Sequence, residues 1–268
     1  MGSTFFYIRT MEAINQPELK NKTNMPYRRL PNTDSARMKS LNAAFTKGKD
    51  LPPFKLAFTA GSYRNIQKVL PSFETAISEH KNALNIQAEK NKEYQRRLKK
   101  VRLYISHFIQ VVNMAILRGD LLPETRSYFG LDEDEKKLPS LATDEDVIHW
   151  GKKLIEGERI RRNKGMNPIT NPTIAVLKVH FDKFMEYHNY QLSLKKRSQR
   201  AQDQLNEKRS QVDVVIQQLW NEVENTFVDL PEEMRREKAT EYGLVYVFRK
   251  NEINTSNHFQ SSRVEGTG

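Results

Sequence analysis

Three runs of cations carry whatever chemistry the chain has. The first is Lys92, Arg96, Arg97, Lys99, Lys100 and Arg102, the second Lys195, Lys196, Arg197 and Arg200, and the third Arg159, Arg161, Arg162 and Lys164. Ammonium and guanidinium groups at this density neutralise phosphates without reading bases. Tyr94, Tyr187 and Tyr190 lie within or beside the first two runs and offer flat faces on which bases can stack. A solvated helix face, partly paired with Glu89, Glu93 and Asp203, has the same composition, as does a surface for a protein partner. The third run stands between the same readings, and it also suits the last turns of a helix, where cations meet the dipole.

Other chemistries lack their residues. The chain has no cysteine, which excludes disulfide frameworks, thiolate metal sites and thiol catalysis. None of the six histidines makes a His-Glu-x-x-His pattern, and His180 and His188 are two helical turns apart, too far for one metal face. His107 falls between aliphatic positions and is expected to be packed or capping. Phosphate-binding glycine loops and the Gly-x-Ser-x-Gly elbow are missing. The acidic run at 132–135 lacks the spaced oxygens and glycine of a calcium loop and reads as a solvated linker. A non-enzyme with no metal and no cofactor is expected.

These cations need long helices to position them. Residues 72–117 hold no Gly or Pro, and Leu98, Val101, Ile105, Phe108, Val112 and Ala115 recur three and four apart, as in a helix packed lengthwise on another. A short helix is expected from Ser62, with Pro71 either kinking it or opening the next. Asn171-Pro172 signals a second long helix to about residue 228, with Leu177, Phe181 and Phe184, then Leu205, Val212, Ile216, Leu219 and Val223 on its seam. Thr143 and Asp146 form a capping-box pattern for a helix ended by Gly165. Pro231 opens a last short helix, and Leu244 to Phe248 is strand-like.

The expected fold is all-α: an antiparallel hairpin of about 72–118 and 172–228, with shorter helices packed where the two connect. Residues 1–60 read as an extended basic arm with one helical stretch at 34–46, residues 61–243 as the bundle, and 244–268 as a strand-like segment and polar tail. With Arg118 placed beside Pro172, Arg97 meets Ser193, and the first two cation runs merge into one band of ten.

Charge is segregated along the chain. The net +11 divides into +8 over residues 1–70 and −5 over 121–150. A basic arm and an acidic connection allow copies to attract one another as readily as they allow polyanion binding. Phe5-Phe6-Tyr7-Ile8 is too short for a secretory core, and no window suits a membrane span, so a cytoplasmic protein without a membrane partner is expected.

The segments Arg102-Leu103-Tyr104-Ile105-Ser106-His107-Phe108-Ile109-Gln110-Val111, Tyr128-Phe129-Gly130-Leu131, Asp146-Val147-Ile148-His149-Trp150-Gly151 and Gly157-Glu158 resemble an uncharacterised all-helical family of Bacteroidetes-type bacteria, over about residues 25–248. The resemblance implies a non-catalytic helical protein and assigns no activity. In architecture alone, a long hairpin with basic surfaces and terminal arms is similar to subunits of helical coats and tubular particles. The expected function is a structural subunit that assembles with copies of itself into a filament or tube, with RNA or DNA along the basic band. A helical adaptor for a protein partner is the alternative.

Overall fold

The computed structural model describes residues 26–133 and 137–248. Six helices follow in chain order: α1 (Asp34–Asp50), α2 (Ala60–Leu117), α3 (Thr125–Tyr128), α4 (Asp144–Asn163), α5 (Ile174–Thr226) and α6 (Glu232–Thr240). Two short strands, β1 (Tyr27–Arg28) and β2 (Tyr246–Val247), pair antiparallel. The fold is all-α, with α2 and α5 as its antiparallel spine. At about 1.5 Å per residue, α2 is ~87 Å long and α5 ~80 Å.

Local chemistry accounts for the helix ends. The Thr33 and Thr59 hydroxyls accept the Ala36 and Ser62 N–H groups at the starts of α1 and α2. Thr143 and Asp146 close the capping box of α4 in both directions. The start expected at Ser62 is corrected to Ala60, since Ser62 is buried and its hydroxyl donates to Glu222 on α5 at 2.7 Å. Pro71 neither ends α2 nor starts a helix. Pro71 and Gln67 are both exposed, so the carbonyl that loses its helical donor there faces water.

A seven-residue repeat explains why α2 and α5 pair. On α2, Ile66, Phe73, His80, Gln87, Tyr94, Val101, Phe108 and Ala115 form a stripe towards α5, and Leu70, Ile77, Leu84, Asn91, Leu98, Ile105 and Val112 form the stripe beside it. On α5 the matching stripes are Leu177, Phe184, Gln191, Ser198, Leu205, Val212 and Leu219, and Phe181, His188, Lys195, Gln202, Arg209, Ile216 and Val223. The central stripes are apolar at both ends and polar midway, where the Ser198 hydroxyl donates to Gln87 Oε1 at 2.7 Å. Such a pair fixes register at little gain in stability.

Two cores result. One joins α1, the first part of α2, the last part of α5, and Ala239, Tyr242 and Leu244; the other joins the second part of α2, the first part of α5, α4, Phe129 and Leu131. Short elements therefore pack at both ends of the hairpin, not only at the connection as expected. From Tyr27 onward the expected arm belongs to the folded body: α1 reaches Asp50, past the stretch expected to end at Thr46, and buries Leu41 and Ala44. Residues 1–25, 134–136 and 249–268, which include most of the tail and part of the acidic run, lie outside the described residues.

Both α1 and α4 pack on one face of the hairpin. From α1, Asp34 accepts from Arg209, Arg37 donates to Asp213, and Ser40 accepts from the Trp220 indole at 3.1 Å. From the α4 side, Asp144 accepts from the Tyr94 hydroxyl, Gly151 packs under Phe181, and the Ala142 carbonyl accepts from Arg102 at 2.6 Å. On both long helices these partners lie on the central stripe or the side facing α1 and α4. The opposite flank of the hairpin is left uncovered by α1 and α4.

Candidate nucleic-acid interface

Six cations project from that open flank: Lys90, Arg97 and Lys100 of α2, and Lys183, Arg197 and Arg200 of α5. Successive positions are three, seven or fourteen apart, which keeps them on one side. The Arg97 guanidinium sits 5.4 Å from the Tyr187 ring centre, and Tyr104 stacks on His180 at 4.2 Å. Tyr190 is exposed between them and the groove bounded by Asn82, Ser193, Arg197, Arg200 and Gln204, whose volume is ≈ 680 Å³. From His180 to Gln204 the flank runs ~36 Å at about 1.5 Å per residue.

The potential of this surface registers on His180. Burial lowers its pKa below the ordinary histidine value, and Lys100, Lys183 and Arg97 lower it further. Three cations on two helices thus act on one imidazole. Glu93 tempers the field by pairing with Arg96 and Arg97, at 2.8 and 2.6 Å. Lys90 pairs with Glu89 at 2.9 Å, whereas Lys100, Lys183, Arg197 and Arg200 have no carboxylate partner among the described residues.

The band of ten expected from sequence is divided. Cross-helix contacts pair Gln87 with Ser198, Arg97 with Tyr187 and Tyr104 with His180, a register about six residues, or ~9 Å, from the one that levels Arg118 with Pro172. Arg97 therefore meets Tyr187 instead of Ser193, and α2 overhangs the start of α5. Arg97, Lys100, Arg197 and Arg200 belong to the flank. Lys92, Arg96 and Lys99 point away from the seam and are exposed, and Lys196 lines the groove with Arg197, Arg200 and Glu79. Arg102 and Lys195 lie on the α1–α4 face. Lys90 and Lys183 escaped the sequence reading, which weighed His180 only as a metal ligand, although the heptad phase marks all three once the seam is placed. Tyr94 is buried, and its hydroxyl is held by Asp144, so it offers no stacking face. Burial and that hydrogen bond both raise its pKa.

The third run does not act as a unit. Arg161 is 1% exposed and pairs with Glu158, 0% exposed, at 2.5 Å, while the other Glu158 oxygen accepts the Ile169 N–H at 2.8 Å. This buried pair fastens the loop after α4 and is closed to phosphate. Arg159 is paired with Glu156, and Lys164 donates to the Tyr128 hydroxyl at 3.2 Å. Arg162 remains exposed beside Lys178. His107, expected to be packed or capping, is exposed because it falls one position off the central stripe.

Among the described residues, no group of three or more His, Asp or Glu side chains is placed to hold a metal ion, and no helix is long and apolar enough to cross a membrane. No protein-family model, curated protein or solved structure matches the chain. The resemblance noted above rests on its quoted residues alone.

Proposed function

We propose that the protein is a non-catalytic structural subunit that assembles with its own copies and holds a nucleic-acid strand along the open flank without reading its sequence. The observation that carries the reading is the convergence of Lys100, Lys183 and Arg97 on His180, beside Tyr187 and Tyr190. Flexible cations on a straight two-helix surface suit a backbone of repeating phosphates, and the exposed Tyr190 ring suits any base. Assembly is supported by the segregation of charge along the chain.

Fluorescence anisotropy with a labelled single-stranded oligonucleotide tests binding. Replacing Lys100, Lys183 and Arg197 together by Glu should weaken it by about 10- to 100-fold and flatten the salt dependence by about 0.7 per lost phosphate contact. An unchanged affinity and salt slope would remove the flank from the function. Negative-stain imaging of the purified full chain tests assembly, with filaments or tubes as the expected particles.

A further inference from the structure

α1 and α4 form two pieces of an interrupted third layer, with their N-terminal ends facing each other across the middle of the hairpin. Asp34 at the start of α1 is bonded to Arg209 and influenced by His80, whereas Asp144 at the start of α4 is bonded to Tyr94 and lies 3.6 Å from His188. The interval is ~21 Å along α2, from His80 to Tyr94, and ~32 Å along α5, from His188 to Arg209. Its floor contains Leu84 and Leu192, 46% and 45% exposed. Leu84 shares a stripe with Leu70 and Leu98, which are buried in the two cores on either side. It is exposed because the third layer is missing above it.

The notch carries both charges. Asp144, Glu145 and Asp146 open α4 on one side, whereas Asp34, at the start of α1 on the other, is paired with Arg209. The hairpin between them bears Lys81 and Lys92 on α2 and Lys195 on the α1–α4 face of α5. These three lysines are exposed and without a carboxylate partner among the described residues. Two packed helices are about 20–24 Å across, which matches the width of the notch.

We propose that the notch receives the same segment of a second copy, the two hairpins crossing about a twofold axis. The leucines of each floor then cover those of the other, and the lysines at each floor meet the acidic start of the partner's α4, as an isologous contact allows. The open flank stays on the outside of the crossed pair. This contact rests on the assembly reading above and supplies its dimer; a filament needs a second, heterologous contact.

The native chain has no cysteine, so single cysteines report cleanly. With a short bismaleimide, Ala88→Cys and Leu192→Cys should each give a covalent dimer, and Gln110→Cys, remote from the notch, should not. By light scattering, wild type should have at least twice the monomer mass. Leu84→Asp with Leu192→Asp should be monomeric with unchanged helical circular dichroism, and Lys81→Glu with Lys92→Glu should raise the dissociation constant by about tenfold. A monomeric wild type, or a dimer indifferent to the Asp pair, overturns the contact. Large particles that persist in the Asp variant leave the assembly reading standing without the notch. A notch-dependent dimer that forms no larger particle upholds the contact and removes the filament.

Discussion

His180 reports on the open flank with a sign that can be worked out. Its pKa lies below the ordinary 6.5, so the folded state favours neutral imidazole; the stability gained is full above that value and is lost as pH falls through the lowered one. A phosphate strand bound beside Lys100, Lys183 and Arg97 would offset their repulsion and raise the histidine pKa, so that binding would take up protons. Oligonucleotide affinity should rise as pH is lowered from neutrality to about 5.5, and His180→Gln should reduce that rise. An equal rise in the variant would assign the proton to another group. Asp34 illustrates the opposite case: the Arg209 hydrogen bonds hold its carboxyl below the ordinary carboxylate value. Its stabilisation is present above the ordinary 3.8 and is lost as pH falls through the lowered value. Asp34→Asn should cost about 1 kcal/mol at neutral pH, measured by urea denaturation, and nothing in strong acid.

At the scale of elements, Glu158 gives the sharpest expectation. Glu158→Gln leaves Arg161 charged and buried, and should cost about 3–5 kcal/mol by urea denaturation. Gly157 beside it has no room for a side chain, since an added Cβ would lie 2.3 Å from the Tyr128 carbonyl oxygen. Much of this level was legible in the sequence. Unbroken three-and-four spacing over Leu98 to Ala115 implied a long packed helix, and Thr143 with Asp146 marked a helix start. The register was not legible, because levelling Arg118 with Pro172 assumes that both helices begin and stop together. The overhang of α2 depends on how α4 and its loop fold back, through contacts such as Glu158 to Ile169 that no local pattern announces. The flank was half legible for the same reason. Residue type singled out Arg97, Lys100, Arg197 and Arg200, but only the placed seam adds Lys90 and Lys183, and only the buried pair with Glu158 sets aside Arg161.

Across the whole molecule, two apolar cores are joined by a stretch in which α2 and α5 touch mainly through polar or small groups. Between, but not including, Ala83 and Tyr94 on α2 and Leu194 and Leu205 on α5, Ser198 is the only buried residue among those described. Stability is then divided between the ends. Phe73→Ala should raise hydrogen exchange in α1 and the start of α2 while leaving α4 nearly unchanged, and Phe108→Ala should do the reverse. Uniform acceleration after either substitution would show a single cooperative unit.

Because both long helices run unbroken through that stretch, their length there sets the distance between the two ends. Seven residues inserted in α2 after Ala88, and seven opposite them in α5, would keep the seam in phase and move the two ends apart by about 10 Å. Insertions of three or four would rotate one end about the long axis and carry α4 off the face it shares with α1. Segment length in this part of the chain is therefore free to vary only in sevens, and only in both helices at once.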